Sequence, residues 1–203
     1  MIHEALDILF RNYRMTFIKW PTGTNATEVM DGFEAKRGLR GVIGAIDGSH
    51  VPIAAPLQVP EDYVNRKGFH SLILQATCDH ELRITDAYTG WPGSVHDARV
   101  FKNSDLFQKI QENPENVCPA GSYLLGDAAY PLTEYVITPF RRTGVPFTAE
   151  QTNFNFLHSS TRMSIEKTFG LLKGRFRRLK FINVRKFFLW TFCLGYLSLQ
   201  YTT

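Results

Sequence analysis

Apolar positions recur at helical spacing near the start of the chain, where Ile2, Ala5, Leu6, Leu9 and Phe10 form one stripe. Pro21-Thr22-Gly23 breaks that pattern, and Asn25-x-x-Glu28 has the form of a capping box opening a second helix toward Lys36. Residues 1–40 therefore read as a helical N-terminal segment. From Gly41 the pattern changes to short apolar runs bounded by turn residues, which predict strands. These are Val42 to Ile46 continuing into Val51 to Ala54, Leu72 to Cys78, Leu82 to Tyr88, Tyr123 to Leu125, and a short fifth run from Tyr135 to Thr138. Ser94-x-x-Asp97 ahead of Ala98, Val100 and Phe101 predicts a capped helix between the third and fourth strands. A long amphipathic helix is expected from Ser159 or Ser160, with Ile165, Phe169, Leu172, Phe176 and Leu179 on one stripe. Strands in this order predict an α/β domain with a mixed sheet flanked by helices, behind a short helical prelude.

Composition narrows the class. With 203 residues, 44% hydrophobic and 13% aromatic, the chain can bury one substantial core, which excludes a disordered or collagen-like polymer. Cys78, Cys118 and Cys193 are far apart and form no C-x-x-C pair, so cysteine-based zinc sites are not expected and a reducing, intracellular setting is. The apolar stretch from Phe187 to Leu199 is interrupted by Thr191, Gly195 and Ser198 and falls short of the roughly 20 residues of a membrane span. Acidic residues at Glu4 and Asp7 argue against a secretory signal.

Charge is segregated. Between residues 161 and 190 stand nine basic residues (Arg162, Lys167, Lys173, Arg175, Arg177, Arg178, Lys180, Arg185, Lys186) against Glu166 alone. That window carries +8 while the whole chain carries +4, so everything else sums to −4. A polyanion partner at the C-terminal side accounts for such a field, and a solvated basic helix face is the alternative.

In open sheets flanked by helices, chemistry gathers at strand ends. Asp47 closes the apolar run Val-Ile-Gly-Ala-Ile, and Asp127 closes Tyr-Leu-Leu-Gly in the same way. Glu166 stands three residues before Phe169 on the basic helix, beside its apolar stripe, where it can face the sheet while Lys167 and Lys173 need not. Three acids with open positions suit a hard cation, Mg²⁺ or Mn²⁺, shared with a phosphate. Asp-Gly is also a common turn, and a solvated acid is the ordinary reading of each alone.

Five ordered blocks carry a resemblance. They are Gly44-Ala45-Ile46-Asp47-Gly48-Ser49-His50-Val51-Pro52-Ile53, Asn65-Arg66-Lys67-Gly68-Phe69-His70, Gly90-Trp91-Pro92-Gly93-Ser94-Val95-His96-Asp97-Ala98-Arg99-Val100-Phe101, Leu125-Gly126-Asp127-Ala128-Ala129-Tyr130-Pro131, and Ile165-Glu166-Lys167-Thr168-Phe169-Gly170-Leu171-Leu172-Lys173-Gly174-Arg175-Phe176. This series resembles the Harbinger (PIF/Harbinger) transposase-derived nucleases, the DDE superfamily endonuclease domain. The resemblance implies a ribonuclease H-like fold over residues 41–186, with an atypical C-terminal tail at 187–203. It implies a nuclease or transposase-type enzyme that cleaves DNA phosphodiester bonds with a divalent metal cation held by Asp47, Asp127 and Glu166. Lys173, Arg175, Arg177 and Arg178 would position the nucleic-acid backbone. Family members carry a longer DNA-reading N-terminal part and a further C-terminal helix, so recognition is expected from a Myb/SANT-like partner, in the nucleus, with the cytoplasm as a second location. The alternative is a catalytically silent, domesticated copy acting as a DNA- or protein-binding module.

Other residues have two readings each. Asp97 is a fourth candidate ligand or a helix cap, with capping favoured by Ser94-x-x-Asp97. His50 follows Asp47 by three along a strand and so points to the other face. His96 has no histidine partner at i+4 and is left outside the site. Asn65-Arg66-Lys67-Gly68 is either a phosphate contact or a hairpin tip, and Trp91-Pro92-Gly93 a turn with a packed indole.

Overall fold

A computed structural model describes residues 17–182. The stripe from Ile2 to Phe10, the basic residues Arg185 and Lys186, Cys193 and the tail 187–203 lie outside the described residues.

Helix α1 (Thr24–Arg37) begins directly after the Pro-Thr-Gly break and ends at Gly38, whose φ of 78° is the left-handed conformation that glycine adopts without strain. Its N-cap is Gly23, with no side-chain cap, so the expected Asn25-x-x-Glu28 capping box does not form. Asn25 already stands inside the helix, two positions past the N-cap Gly23 from which a side chain reaches the free amides.

Strand β1 (Val42–Pro52) is one continuous strand of 11 residues, joining the two apolar runs through Asp47-Gly48-Ser49-His50. It pairs antiparallel with β2 (Ser71–Cys78), and β2 pairs antiparallel with β3 (Ile84–Pro92). β3 starts two residues later than the pattern suggests. Leu82 sits in the turn at φ 69°, where the Asp79 carboxylate accepts from the amides of Glu81 and Arg83 and closes the reversal. On its other side β1 pairs parallel with β4 (Tyr123–Leu125), and β4 with β5 (Val136–Ile137). The sheet order β3-β2-β1-β4-β5, three antiparallel strands followed by two parallel ones, is that of a ribonuclease H-like fold.

Three short helices connect β3 to β4: α2 (Asp97–Lys102), α3 (Asp105–Glu112) and α4 (Pro114–Val117). α2 starts at Asp97 with His96 as N-cap and no side-chain cap, so Ser94 does not cap it. α3 and α4 are additions to the sequence reading; α3 is capped by Ser104, whose hydroxyl accepts from the amide of Phe107.

The last helix corrects its expected start. α5 spans Ala149–Arg175, opened by a reciprocal capping box between Thr148 and Gln151, which leaves Ser159 and Ser160 in its interior. Polar residues are tolerated there because Thr161 and Thr168 turn their hydroxyls back onto the carbonyls of Leu157 and Ser164. The apolar stripe also ends sooner: Ile165 and Phe169 are buried and Leu172 packs beside them, while Phe176 is an exposed C-cap and Leu179 lies in the 3₁₀ turn Arg177–Lys180.

The sheet separates two cores. On one face Ile46, Leu124 and Val136 pack with Phe101, Leu106, Ile110 and Tyr130 from α2, α3 and the loop after β4. On the other, Ala45, Ala76 and Cys78 receive Ile165 and Phe169 of α5. α1 and the first half of α5 close the end of the sheet through Val29, Phe33, Val42, Leu125, Phe154 and Leu157. His158, 1% exposed, fixes α5 to the edge strand by a 3.1 Å contact between Nε2 and the Ile137 carbonyl.

Candidate active site

The relative lengths of two strands create the site. β4 pairs with β1 only as far as Ala45, opposite Leu125. From Ile46 to Val51 β1 has β2 on one side and, among the described residues, no strand of its sheet on the other. Asp47 is the second residue past that point, and Asp127 the second residue past the end of β4. An acid closing each apolar run thus reaches the same gap from two neighbouring parallel strands.

Alternation along β1 directs Asp47 to the face covered by α5. Its Oδ1 accepts from the amide of Gly48 at 2.8 Å, and its Oδ2 accepts from Arg162 of α5 at 2.8 Å. The second terminal nitrogen of Arg162 donates to Glu166 Oε1, also at 2.8 Å, one helical turn further along. Two of the three expected acids are therefore joined by one guanidinium. Burial pushes the Asp47 carboxyl up, the Arg162 charge pulls it back, and the nearby Asp127 raises it again. Asp127 is held by its own turn, with Oδ1 accepting from the amide of Ala129 at 2.8 Å.

Asp97 belongs with this group, which corrects its expected role as a cap. It approaches from α2 on the opposite face, and its Oδ1 lies 2.2 Å from where a β-carbon on Gly48 would stand. The missing side chain at Gly48 is what admits it. Burial pushes the Asp97 carboxyl up to about 6, with Asp127 and Asp47 adding to the rise and Arg66 opposing it. Tyr130, 1% exposed, packs beneath and directs its hydroxyl toward Gln75 Oε1 at 3.4 Å.

The basic residues separate into two kinds. Lys173 turns to the sheet, donating to Ser49 Oγ at 2.7 Å and to the His50 carbonyl at 2.8 Å, where the sequence left it free to face away. Arg175, Arg177 and Arg178 are exposed at the end of α5 and in the turn after it. His50 points away from Asp47, as its spacing predicts, and its Nδ1 lies 3.0 Å from Ser71 Oγ. His96 contacts Arg66 at 2.8 Å, outside the acid group. Asn65 is buried and closes the Lys67-Gly68 turn with its own side chain, and the Trp91 indole packs against Ile73 and Val100. Arg162 entered the sequence reading only as one charge in a basic window. Its i, i+4 spacing to Glu166 was the available signal.

The donor set is all oxygen, which suits Mg²⁺ or Mn²⁺ rather than a softer metal, and a cationic group already stands between two of the acids. Among the described residues, no three His, Cys, Asp or Glu side chains stand close enough together to hold an ion as they are. Nor, among those residues, is any helix long and apolar enough to cross a membrane.

Comparison with known proteins gives concordant results. A family model described as DDE superfamily endonuclease matches residues 46–188. "Putative nuclease HARBI1" of Rattus norvegicus is 38% identical over 164 residues, covering 80% of this chain and 45% of that protein. The human protein of the same name is 36% identical over the same length. "Protein ALP1-like" of Arabidopsis thaliana is 32% identical over 172 residues, covering 79% of this chain and 41% of its own. The chain thus spans less than half the length of these relatives. No solved structure matches.

Proposed function

Because the chain belongs to the DDE superfamily endonucleases, we propose that it is the metal-dependent cleavage domain of a transposase-derived nuclease acting on DNA phosphodiester bonds. Asp47, Asp127 and Glu166 would hold the divalent ion, Mg²⁺ or Mn²⁺. Such an ion polarises a phosphoryl oxygen and lowers the pKa of an attacking water. The observation that carries this reading is the sharing of one guanidinium by Asp47 and Glu166, with Asp127 close enough to disturb the titration of Asp47.

The chain's own residues supply the surroundings. Gly48 holds Asp47 in orientation through its amide, and Lys173 ties α5 to β1 so that Glu166 stays level with Asp47. Arg175, Arg177 and Arg178 bind the DNA backbone without reading its sequence. Target choice then falls to a partner of the Myb/SANT-like type, with the nucleus as the site of action.

The test is calorimetric titration of Mn²⁺ into the wild type and the Asp47→Asn/Asp127→Asn variant, both checked for folding by circular dichroism. Binding lost in the variant supports the reading, and cleavage lost in Asp127→Asn with DNA binding retained completes it. The second reading, a silent copy acting as a binding module, draws on the absence of a ready-made three-ligand cluster among the described residues. A folded wild type that binds no Mn²⁺, with or without DNA, would favour it.

A further inference from the structure

We propose that Arg162 is the resident cation of the carboxylate site, and that a divalent ion loads by displacing its guanidinium from Asp47 and Glu166. This rests on the metal-site reading above and concerns how that site is occupied.

The oxygens themselves carry the argument. Asp47 Oδ1 is engaged by the Gly48 amide, which leaves Oδ2 as its outward acceptor, and Arg162 holds that atom at 2.8 Å. The other arm of the same fork holds Glu166 Oε1 at 2.8 Å. A guanidinium normally closes bidentately on one carboxylate. Here it straddles two, on two elements, in the manner of a bridging ion. The side chains of Arg162 and Asp47 are each only 19% exposed, so water screens little of the pairing. A divalent ion approaching Asp47 from the gap meets that same Oδ2, and two cations sharing one partly buried oxygen repel strongly. The occupancies therefore exclude each other.

Exchange is favoured by the remaining charge. Among the described residues Asp97 and Asp127 stand beside Asp47 and form no ion pair with Arg162, and with Arg66 acting on Asp97 the four carboxylates still outnumber the guanidinium groups near them. A monovalent fork satisfies two of them, while a divalent ion brings more charge to the gap. This also explains why no three acids converge in the described structure: Asp47 and Glu166 are drawn to Arg162 and not toward Asp127. Once displaced, the guanidinium remains one turn from Glu166 with its donors unsatisfied, where a phosphate oxygen of the substrate is the natural acceptor. Metal loading and the freeing of a phosphate-binding arginine become one event.

The experiment is Mn²⁺ calorimetry on the full chain, comparing wild type, Arg162→Gln, Arg162→Lys and Lys167→Gln. Lys167 neighbours Glu166 on α5 but faces the cleft beside Lys36 and Arg37, so its variant controls for loss of charge alone. Arg162→Lys keeps the charge and loses the fork, and it guards against a Gln variant that fails to fold. The expected result is a Kd about tenfold lower in Arg162→Gln, a smaller decrease in Arg162→Lys, and no change in Lys167→Gln. Unchanged or weaker binding in both Arg162 variants overturns the proposal and leaves the metal site standing. Tightening in Arg162→Gln matched by Lys167→Gln overturns it too, since charge alone would then suffice. No Mn²⁺ binding in any chain, wild type included, overturns it together with the metal-site reading.

Discussion

The Asp97 carboxylate fills the space that a side chain at residue 48 would need, so Gly48 and Asp97 are complementary across β1: Oδ1 stands 2.2 Å from the position of an added β-carbon. No real contact is that short, and one of the two must yield.

Gly48→Ala is therefore expected to lower stability by about 1–3 kcal/mol, the usual range for overpacking. Asp97→Ala in the same chain should restore most of it. Thermal melts of the two single variants and the double variant give the coupling; additive effects would mean that the two positions do not compete for space.

A second prediction concerns pH. The Asp97 carboxyl has an ordinary value of 3.8 when unfolded and about 6 when folded, so the folded chain binds its proton more tightly. Protonation therefore favours folding, and this contribution to stability falls as pH rises from about 4 to about 6 and stays absent above. In EDTA, Asp97→Asn should be more stable than wild type at pH 8 by about 1–3 kcal/mol, with the difference vanishing below about pH 4. Urea unfolding across that range is the measurement, and a pH-independent difference would refute the assignment.

Lys173 and the exposed arginines should part company. Lys173→Ala removes two bonds to β1 and is expected to cost about 1–2 kcal/mol of stability. Arg177→Glu/Arg178→Glu changes two exposed side chains and should leave the melting temperature nearly unchanged while weakening DNA binding. Its effect should appear as a shallower slope of log K against log salt, measured by fluorescence anisotropy in EDTA.

Thr148→Ala removes a cap that the sequence reading did not use. A loss of about 1 kcal/mol is expected, with divalent-ion affinity unchanged, because the capping box lies at the far end of α5 from Glu166.

What the residues disclosed follows how local each signal is. β1, β2 and β4 were legible because their apolar runs are bounded by turn residues, and so was the placing of Asp47 and Asp127 at one gap, because each closes such a run. The start of α5 was misread because Ser159-Ser160 resembles a cap, while Thr148-x-x-Gln151 carried the same signature further up the chain. Asp97 was misread for a different reason. Ser94-x-x-Asp97 is a sound local motif, yet the position of its acid is decided by the absence of a side chain on Gly48, a contact between distant segments that no local pattern encodes. The bonds of Lys173 were not legible for the same reason, since its partners Ser49 and His50 lie on another element.

Arg162 and Glu166 stand one turn apart on a helix of 27 residues, so a slip of α5 by a single turn, about 5.4 Å, would bring a positive group to the place of a negative one. The polarity of the site is thus a matter of alignment as much as of composition. Among the contacts that set that alignment, two flank the pair: His158 on the Ile137 carbonyl ahead of it, and Lys173 on Ser49 and His50 behind it. Between them the helix works as a graduated rod clamped on either side of the pair, and clamps that hydrogen-bond to none of the acids help decide which sign of charge Asp47 meets.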